Sequence, residues 1–180
     1  MKLYNHTKYP DAVLESLLVK AGKAVGARTT GVVVIVNQGR QFGASIPGCA
    51  YRATSVRPNL RMKRDQNYLI NIRWVKTDGG YFTIVAPHWN RPALEAVQNF
   101  YATAVHEWGH IKDFQRKDLP EWSRRDSSGR RPRWEDRPEE IRANEYRDSA
   151  RSQGKGENGS YAYEEIVGLA LALEERKESK

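Results

Sequence analysis

Two histidines and a glutamate stand at a spacing that suits metal chemistry, in the segment His106-Glu107-Trp108-Gly109-His110. Residues four apart lie one above the other on a helix, so the imidazoles of His106 and His110 can coordinate one ion. Glu107 lies beside them and off the ion, where it can take a proton from a water that the ion activates. The pattern therefore predicts a zinc site with Glu107 as its catalytic base.

A catalytic zinc ion takes a third protein ligand and keeps its fourth position for water. Cys49 is the only cysteine of the chain, so the third ligand is expected to be a histidine or a carboxylate. Metzincins place a glycine and then a histidine just downstream, and this chain has Asp113 and Arg116 there, which excludes that class. The alternative is a glutamate from a following helix, as in thermolysin-like sites, and Glu140 and Glu145 are the candidates.

The segment Glu140-Ile141-Arg142-Ala143-Asn144-Glu145-Tyr146 resembles a known family. It is similar to the E-x-x-A-N-x-F pattern that follows HExGH in the ImmA/IrrE-like minimal gluzincins, a branch of the HExxH zincins. In that family the first Glu of the pattern is the third zinc ligand. The resemblance implies that Glu140 joins His106 and His110 at the metal and that Asn144 steadies one of these ligands. It covers roughly Tyr81 to Ala150.

The resemblance also implies a fold and an activity. We expect an α+β, zincin-like fold in a single domain over residues 1–180. A small, mainly antiparallel sheet should carry an active-site helix and a following glutamate helix. The expected function is a zinc metallopeptidase with Zn²⁺ as its cofactor, which hydrolyses peptide bonds in an intracellular protein.

The pattern of apolar residues predicts the two helices that position the site. A helix from about 91 to 116 carries an apolar stripe at three-four spacing, opposite the side on which His106 and His110 fall. The residues of this stripe are Leu94, Val97, Tyr101, Ala104, Trp108 and Ile111. A second helix at about 138–150 opens with Pro138-Glu139-Glu140, since proline and acids favour a first helical turn.

The other elements are predicted from apolar and alternating patterns. They are helices at 11–25 and 160–177, and strands at 30–37, 41–46, 68–75 and 81–85. Asp78-Gly79-Gly80 is a strong turn signal, so the last two strands are expected to form a hairpin. The strand at 81–85 is expected to lie at the edge of the sheet, where it could bind substrate by β-addition, as the resemblance implies for zincins.

Several side chains are candidates for the electrophile that stabilises the oxyanion of the attacked carbonyl. They are His88, Tyr146, Tyr161 and Tyr163, and the alternative for each is a turn histidine or a tyrosine packed on the core. Asp113, three residues after His110, is expected either to orient His110 through a ring N–H or to pair with a neighbouring Arg or Lys. Gly109 is unusual inside a helix, and a close approach by another backbone or room beside the metal would explain it.

The net charge is +8, and much of the excess lies in Arg52–Arg64 and Arg116–Arg137. The basic loop 124–137 lies between the two ligand helices, so its arginines, with Trp134 and Trp122, could hold an acidic substrate or nucleic acid. The alternative is a solvated loop. A basic nucleic-acid-associated protein or a DNA-associated protease, with a structural or accessory metal site, therefore remains an alternative function. A host-interaction or toxin-like protein with the same peptidase chemistry is a further one.

No apolar run approaches the roughly eighteen residues that cross a bilayer. The longest is Gly31–Val36, which has the length of a strand, and the polar segment Met1–Asp11 lacks the apolar region of a signal peptide. We therefore expect no membrane partner and a cytoplasmic location.

Overall fold

The computed structural model describes residues 1–7, 9–38, 48–56, 75–86, 93–118 and 121–153, with isolated helical positions at 168, 171 and 175. Several predicted features lie outside these ranges. They are the strand at 41–46, all but the last residue of the strand at 68–75, the helix at 160–177 apart from the three isolated positions, and the side chains of His88, Tyr161 and Tyr163.

The described residues form six short strands, three α-helices and one 3₁₀ helix. In chain order they are β1 (Lys2–Asn5), α1 (Asp11–Ala24), β2 (Val33–Asn37), β3 (Gly48–Tyr51), β4 (Ser55–Val56), β5 (Val75–Lys76), β6 (Tyr81–Val85), α2 (Ala93–Gln115), a 3₁₀ helix (Trp134–Asp136) and α3 (Pro138–Gln153). The predicted bounds of α1, α2 and α3 agree with these to within a few residues. Among the described residues, no helix is long and apolar enough to cross a membrane.

The main sheet has the strand order β1–β2–β6–β3 among the described strands. β1 pairs with β2 and β2 with β6 in parallel, while β3 pairs antiparallel with β6. The prediction of an α+β chain with a small sheet is confirmed, but this sheet is mixed rather than mainly antiparallel. The reason is α1, which carries the chain back from the end of β1 to the start of β2 and so allows a parallel pair.

The predicted hairpin between the strands at 68–75 and 81–85 is wrong. Val75 and Lys76 pair instead with β4 in a separate two-stranded sheet. The turn residues Asp78 and Gly79 donate their backbone N–H groups to the carbonyl of Gly31, which directs the chain to β2. β6 consequently lies between β2 and β3, so the prediction that it is an edge strand is also wrong.

The hydrophobic core lies between the main sheet and the helices α1 and α2. The predicted stripe of α2 is buried, and Trp108 packs edge-on against Phe82 of β6 with ring centroids 5.3 Å apart. Leu94 is the exception, because its side chain is 41% exposed. Burial of this stripe fixes the rotation of α2, and it leaves His106 and His110 on a flank that faces α3.

Candidate metal centre

Helices α2 and α3 bring three potential metal ligands together. Nε2 of His106 lies 3.2 Å from Nε2 of His110. Oε2 of Glu140 lies 3.2 Å from Nε2 of His106 and 3.5 Å from Nε2 of His110. His110 and Glu140 are buried, and His106 is half-buried. The predicted pair of histidines and one predicted glutamate therefore converge on one point.

The distances between these three atoms fit a tetrahedral metal ion. Zinc binds nitrogen and oxygen ligands at about 2.0–2.1 Å, which places neighbouring ligand atoms about 3.3 Å apart at tetrahedral angles. The separations of 3.2, 3.2 and 3.5 Å bracket that value. These three residues could thus hold a metal ion.

Asn144 determines which nitrogen of His106 carries a proton. Nδ1 of His106 lies 3.1 Å from Oδ1 of Asn144. Because an amide oxygen only accepts hydrogen bonds, Nδ1 is the donor, and a neutral His106 then presents the lone pair of Nε2 to the centre. The resemblance implies that Asn144 steadies a metal ligand, and the contact with His106 would allow this.

Glu140 is the carboxylate of this centre, and the alternative ligand Glu145 is exposed. Burial alone would raise the pKa of Glu140, but its close contacts with His106 and His110, at 3.2 and 3.5 Å, outweigh burial and lower the pKa to about 2. Glu139, the preceding residue, points away and accepts hydrogen bonds from the backbone N–H and the hydroxyl of Ser123 at 2.7 and 2.5 Å. The carboxylate available to a cation is therefore that of Glu140.

Glu107 is buried between α2 and the edge of β3. Glu107 is only 4% exposed, and its Oε2 atom is buried and has no hydrogen-bond partner among the described residues. Burial, and then the charge of Glu140, raise the pKa of Glu107 well above its ordinary value. A carboxylate held in this way is a stronger base than one in water.

The structure separates the two expectations for Asp113. Its carboxylate accepts a hydrogen bond from Nε of Arg142 at 2.7 Å and another from the hydroxyl of Tyr146 at 3.2 Å. Nδ1 of His110 has no hydrogen-bond partner in the described part of the chain. The prediction that Asp113 orients His110 is therefore wrong, and the expected pairing with an arginine is what occurs.

Tyr146, the one described oxyanion candidate, lies at the contact between α2 and α3. Its hydroxyl bonds to Asp113, and its ring lies 4.5 Å below the ammonium of Lys112. A Cβ atom at Gly109 would lie 2.9 Å from Cδ2 of Tyr146 and 3.2 Å from Cα of Ala143. The close approach of another backbone, one of the two explanations expected for Gly109, is thus present.

Residues 121–137 continue from this contact into the basic loop. Trp122 stacks on Phe114 with ring centroids 5.0 Å apart, and its ring lies 6.2 Å from that of His110. Trp134 is 53% exposed and packs beneath the guanidinium of Arg137. The residues just before the loop therefore lie beside the centre, and the arginines of the loop other than Arg137 are exposed.

Sequence reasoning missed two residues that shape the site. Gly48 is the first residue of β3 and lies against Glu107, and the sequence patterns predicted no strand at 48–51. Arg142 was included in the α3 motif only as an unspecified position. Its partner Asp113 lies 29 residues away in the chain, and no local pattern links the two.

No family model, curated protein or solved structure matches the chain. The fold and the site themselves define the class, which is a mixed α+β protein with a candidate metal centre of two histidines and one glutamate.

Proposed function

We propose that the chain is a zinc-dependent metallopeptidase that hydrolyses peptide bonds in a protein substrate. The observation that carries this proposal is the convergence of His106, His110 and Glu140 on one point. Asn144 occupies the far nitrogen of His106, so electron pairs of a nitrogen and of a carboxylate oxygen face each other at 3.2 Å. Such an arrangement is stabilised by a cation between the donor atoms.

The donor set favours zinc among the common metals. Imidazole nitrogen and carboxylate oxygen suit a borderline-soft ion, and the hard ions Mg²⁺ and Ca²⁺ prefer oxygen ligands alone. Three protein ligands leave a fourth tetrahedral position, which is typical of catalytic rather than structural zinc sites. Two histidines and a glutamate are one of the ligand sets of zinc peptidases.

When bound, zinc would acidify a water and polarise the carbonyl of the substrate. Glu107 would take the proton of the attacking water and later give it to the departing amine. Its raised pKa suits both roles, because the carboxylate accepts a proton readily and then holds it until the amine leaves. His106, His110 and Glu140 would act only as ligands.

The described strands also offer a place for an extended substrate. Among the described strands, β3 lies at the edge of the main sheet, and its first residue, Gly48, lies against the carboxylate of Glu107. A peptide that added to this edge would pass close to the proposed base. β-Addition is therefore proposed for β3 in place of the strand at 81–85.

Metal analysis of purified variants tests the proposal. We expect about one zinc per chain in the wild type and its loss in His110→Ala and in Glu140→Gln. Glu107→Gln should keep the zinc and lose proteolysis of an unfolded protein substrate. Glu145→Gln is the matched control, because it removes an exposed carboxylate from the same helix. Zinc binding that survives Glu140→Gln, or proteolysis that survives Glu107→Gln, would contradict the assigned roles.

The exposed basic loop supports a second candidate, a nucleic-acid-associated protein with an accessory metal site. Five of its arginines, at positions 124, 125, 130, 131 and 133, are exposed. Salt-sensitive DNA binding that persists in Glu107→Gln and disappears when these arginines are replaced would favour this candidate. Proteolysis without any DNA binding would exclude it.

A further inference from the structure

Asp113 is a buried carboxylate at the contact between the two ligand-bearing helices. It follows His110 by three residues on α2, and its side chain is 1% exposed. Oδ2 accepts a hydrogen bond from Nε of Arg142 at 2.7 Å, and Oδ1 accepts one from the hydroxyl of Tyr146 at 3.2 Å. The guanidinium of Arg116 approaches Oδ1 to 4.0 Å from the solvent side. Both short bonds reach from α2 to α3.

The residues of α3 that contact α2 fall on two flanks of Ala143. At about 100° of rotation per residue, Glu140 and Asn144 lie on one side of Ala143, and Arg142 and Tyr146 lie on the other. The first flank reaches the histidines of the candidate centre, and the second flank reaches Asp113. Rotation of α3 that withdraws Glu140 from the histidines must therefore break the bonds to Asp113.

The seam between these two flanks is unusually close. A Cβ atom at Gly109 would lie 3.2 Å from Cα of Ala143, so the two backbones approach so closely that a side chain there would be in unusually tight contact. Glycine and alanine set the distance between the helices, but small residues alone do not resist rotation or sliding. The directional bonds to the Asp113 carboxylate supply that resistance.

Arg142 extends the same network to the segment that follows α2. Its Nη2 donates to the backbone carbonyl of Glu121 at 2.5 Å. The neighbouring Trp122 stacks on Phe114, and Ser123 bonds to Glu139 at the start of α3. One guanidinium thus bonds to a carboxylate on α2 and to the backbone between α2 and α3.

We propose that Asp113, Arg142 and Tyr146 are positioning residues that hold Glu140 at the two histidines and so determine the metal affinity of the centre. This inference rests on the proposed function, because it assumes that the centre binds zinc. None of the three belongs to the group of residues that could hold the ion. They act through the orientation of α3.

Zinc affinity measured by competition with a chromogenic chelator tests the inference. Asp113→Asn keeps the shape of the side chain, Arg142→Met removes the guanidinium, and Tyr146→Phe removes only the hydroxyl. We expect the first two to weaken zinc binding about 10- to 100-fold and Tyr146→Phe to weaken it by about 3- to 10-fold. The double variant Asp113→Asn/Arg142→Met should lose less affinity than the two single effects combined, because both single variants remove the bond between Asp113 and Arg142.

The control is Arg147→Gln, which removes an arginine paired with the exposed Asp148 on the same helix. The zinc affinity of this variant should stay within about twofold of that of the wild type. Urea unfolding of each metal-free variant reports its stability separately from its affinity. The visible spectrum of bound Co²⁺ reports the coordination geometry, and it should change in Asp113→Asn and not in Arg147→Gln. A role in stability alone would change the unfolding and leave the zinc affinity and the Co²⁺ spectrum unchanged.

Zinc binding within about twofold of wild type in Arg142→Met and Tyr146→Phe would overturn the inference while leaving the proposed function intact. Tyr146→Phe tests the inference even if Asp113→Asn does not fold, because this variant removes only one hydroxyl group and should fold. A wild-type protein that binds no zinc would instead contradict the proposed function, and the inference with it.

Discussion

Gly48 of strand β3 lies so close to Glu107 of helix α2 that a side chain at position 48 would meet the carboxylate. An ideal Cβ atom there would be 2.5 Å from Oε1 of Glu107. The contact joins the edge of the described sheet to the proposed base, and it places the peptide groups of an edge strand beside a buried acid. The position of the base therefore depends on a glycine that is distant from it in the chain.

Gly48→Ala should displace the Glu107 carboxylate and leave the ligands in place. We expect normal zinc content and a loss of proteolysis of about 10- to 100-fold, because small displacements of a catalytic group cost that much. Zinc analysis and the rate of peptide hydrolysis measure the two effects. Gly168→Ala is the control, since a methyl group there enters open space. Unchanged hydrolysis in Gly48→Ala would show that the carboxylate tolerates displacement and would weaken its assignment as base.

Asn144→Ala should lower metal affinity without removing a ligand. Loss of the bond to Nδ1 of His106 frees that ring to rotate and to change its protonated nitrogen, and we expect about 10- to 100-fold weaker zinc binding. Asn144→Asp keeps an acceptor and should retain most of the affinity. Chelator competition compares both variants with Glu145→Gln. Equal affinities in Asn144→Ala and Glu145→Gln would show that the bond to His106 does not support the centre.

Gly109→Ala should destabilise the contact between α2 and α3. Alanine would gain up to about 1 kcal/mol of helix propensity, but the added methyl group would meet Tyr146 at 2.9 Å and Ala143 at 3.2 Å. Overpacking of this kind costs about 1–3 kcal/mol. We expect a net loss of about 1 kcal/mol in the urea unfolding of the metal-free protein, together with weaker zinc binding. If Gly109→Ala were more stable than the wild type and bound zinc normally, α2 and α3 would accommodate the methyl group without a cost in free energy.

Glu139 should make stability depend on pH in the acid range. Burial alone would raise the pKa of Glu139, but hydrogen bonds from the hydroxyl and backbone N–H of Ser123 outweigh it and lower the pKa below 4.5. Because the folded pKa is the lower one, the ionised carboxylate stabilises the fold above pH 4.5, and this contribution is lost as the pH falls through the folded value.

The stability difference between wild type and Glu139→Gln should therefore be largest near neutral pH and should shrink on acidification. Urea unfolding of the metal-free proteins between about pH 7 and about pH 3 measures it. Ser123→Ala removes one of the two donors and should reduce the same pH dependence. A difference that stays constant over this range would show that Ser123 does not stabilise the ionised form.

The helices and the ligand set could be predicted from the sequence because their signals are local. The stripe of α2 and the spacing of His106 and His110 belong to one helical period, so burial of the stripe fixed where the imidazoles point. Glu140 lies in the first turn of α3, two residues after a proline, and it was preferred to Glu145 because residues 140–146 resemble the E-x-x-A-N-x-F pattern. These features need no knowledge of distant contacts.

The sheet and the surroundings of the site could not be predicted in this way. The pairing of β6 with β2 and β3 depends on hydrogen bonds between segments far apart in the chain, and the turn signal at Asp78-Gly79-Gly80 does not reveal which strand it leads to. The sequence did not show whether Asp113 bonds to His110 or to an arginine, because Arg142 becomes its neighbour only when α3 packs on α2.

The central claim is that His106, His110 and Glu140 enclose one zinc ion. Anomalous scattering from crystals of the purified protein, recorded on both sides of the zinc absorption edge, tests it most directly. The account predicts a single zinc peak at about 2.0–2.2 Å from Nε2 of both histidines and from the carboxylate of Glu140. Zinc-saturated crystals with no peak at that position, or with Glu140 turned away from it, would contradict the account.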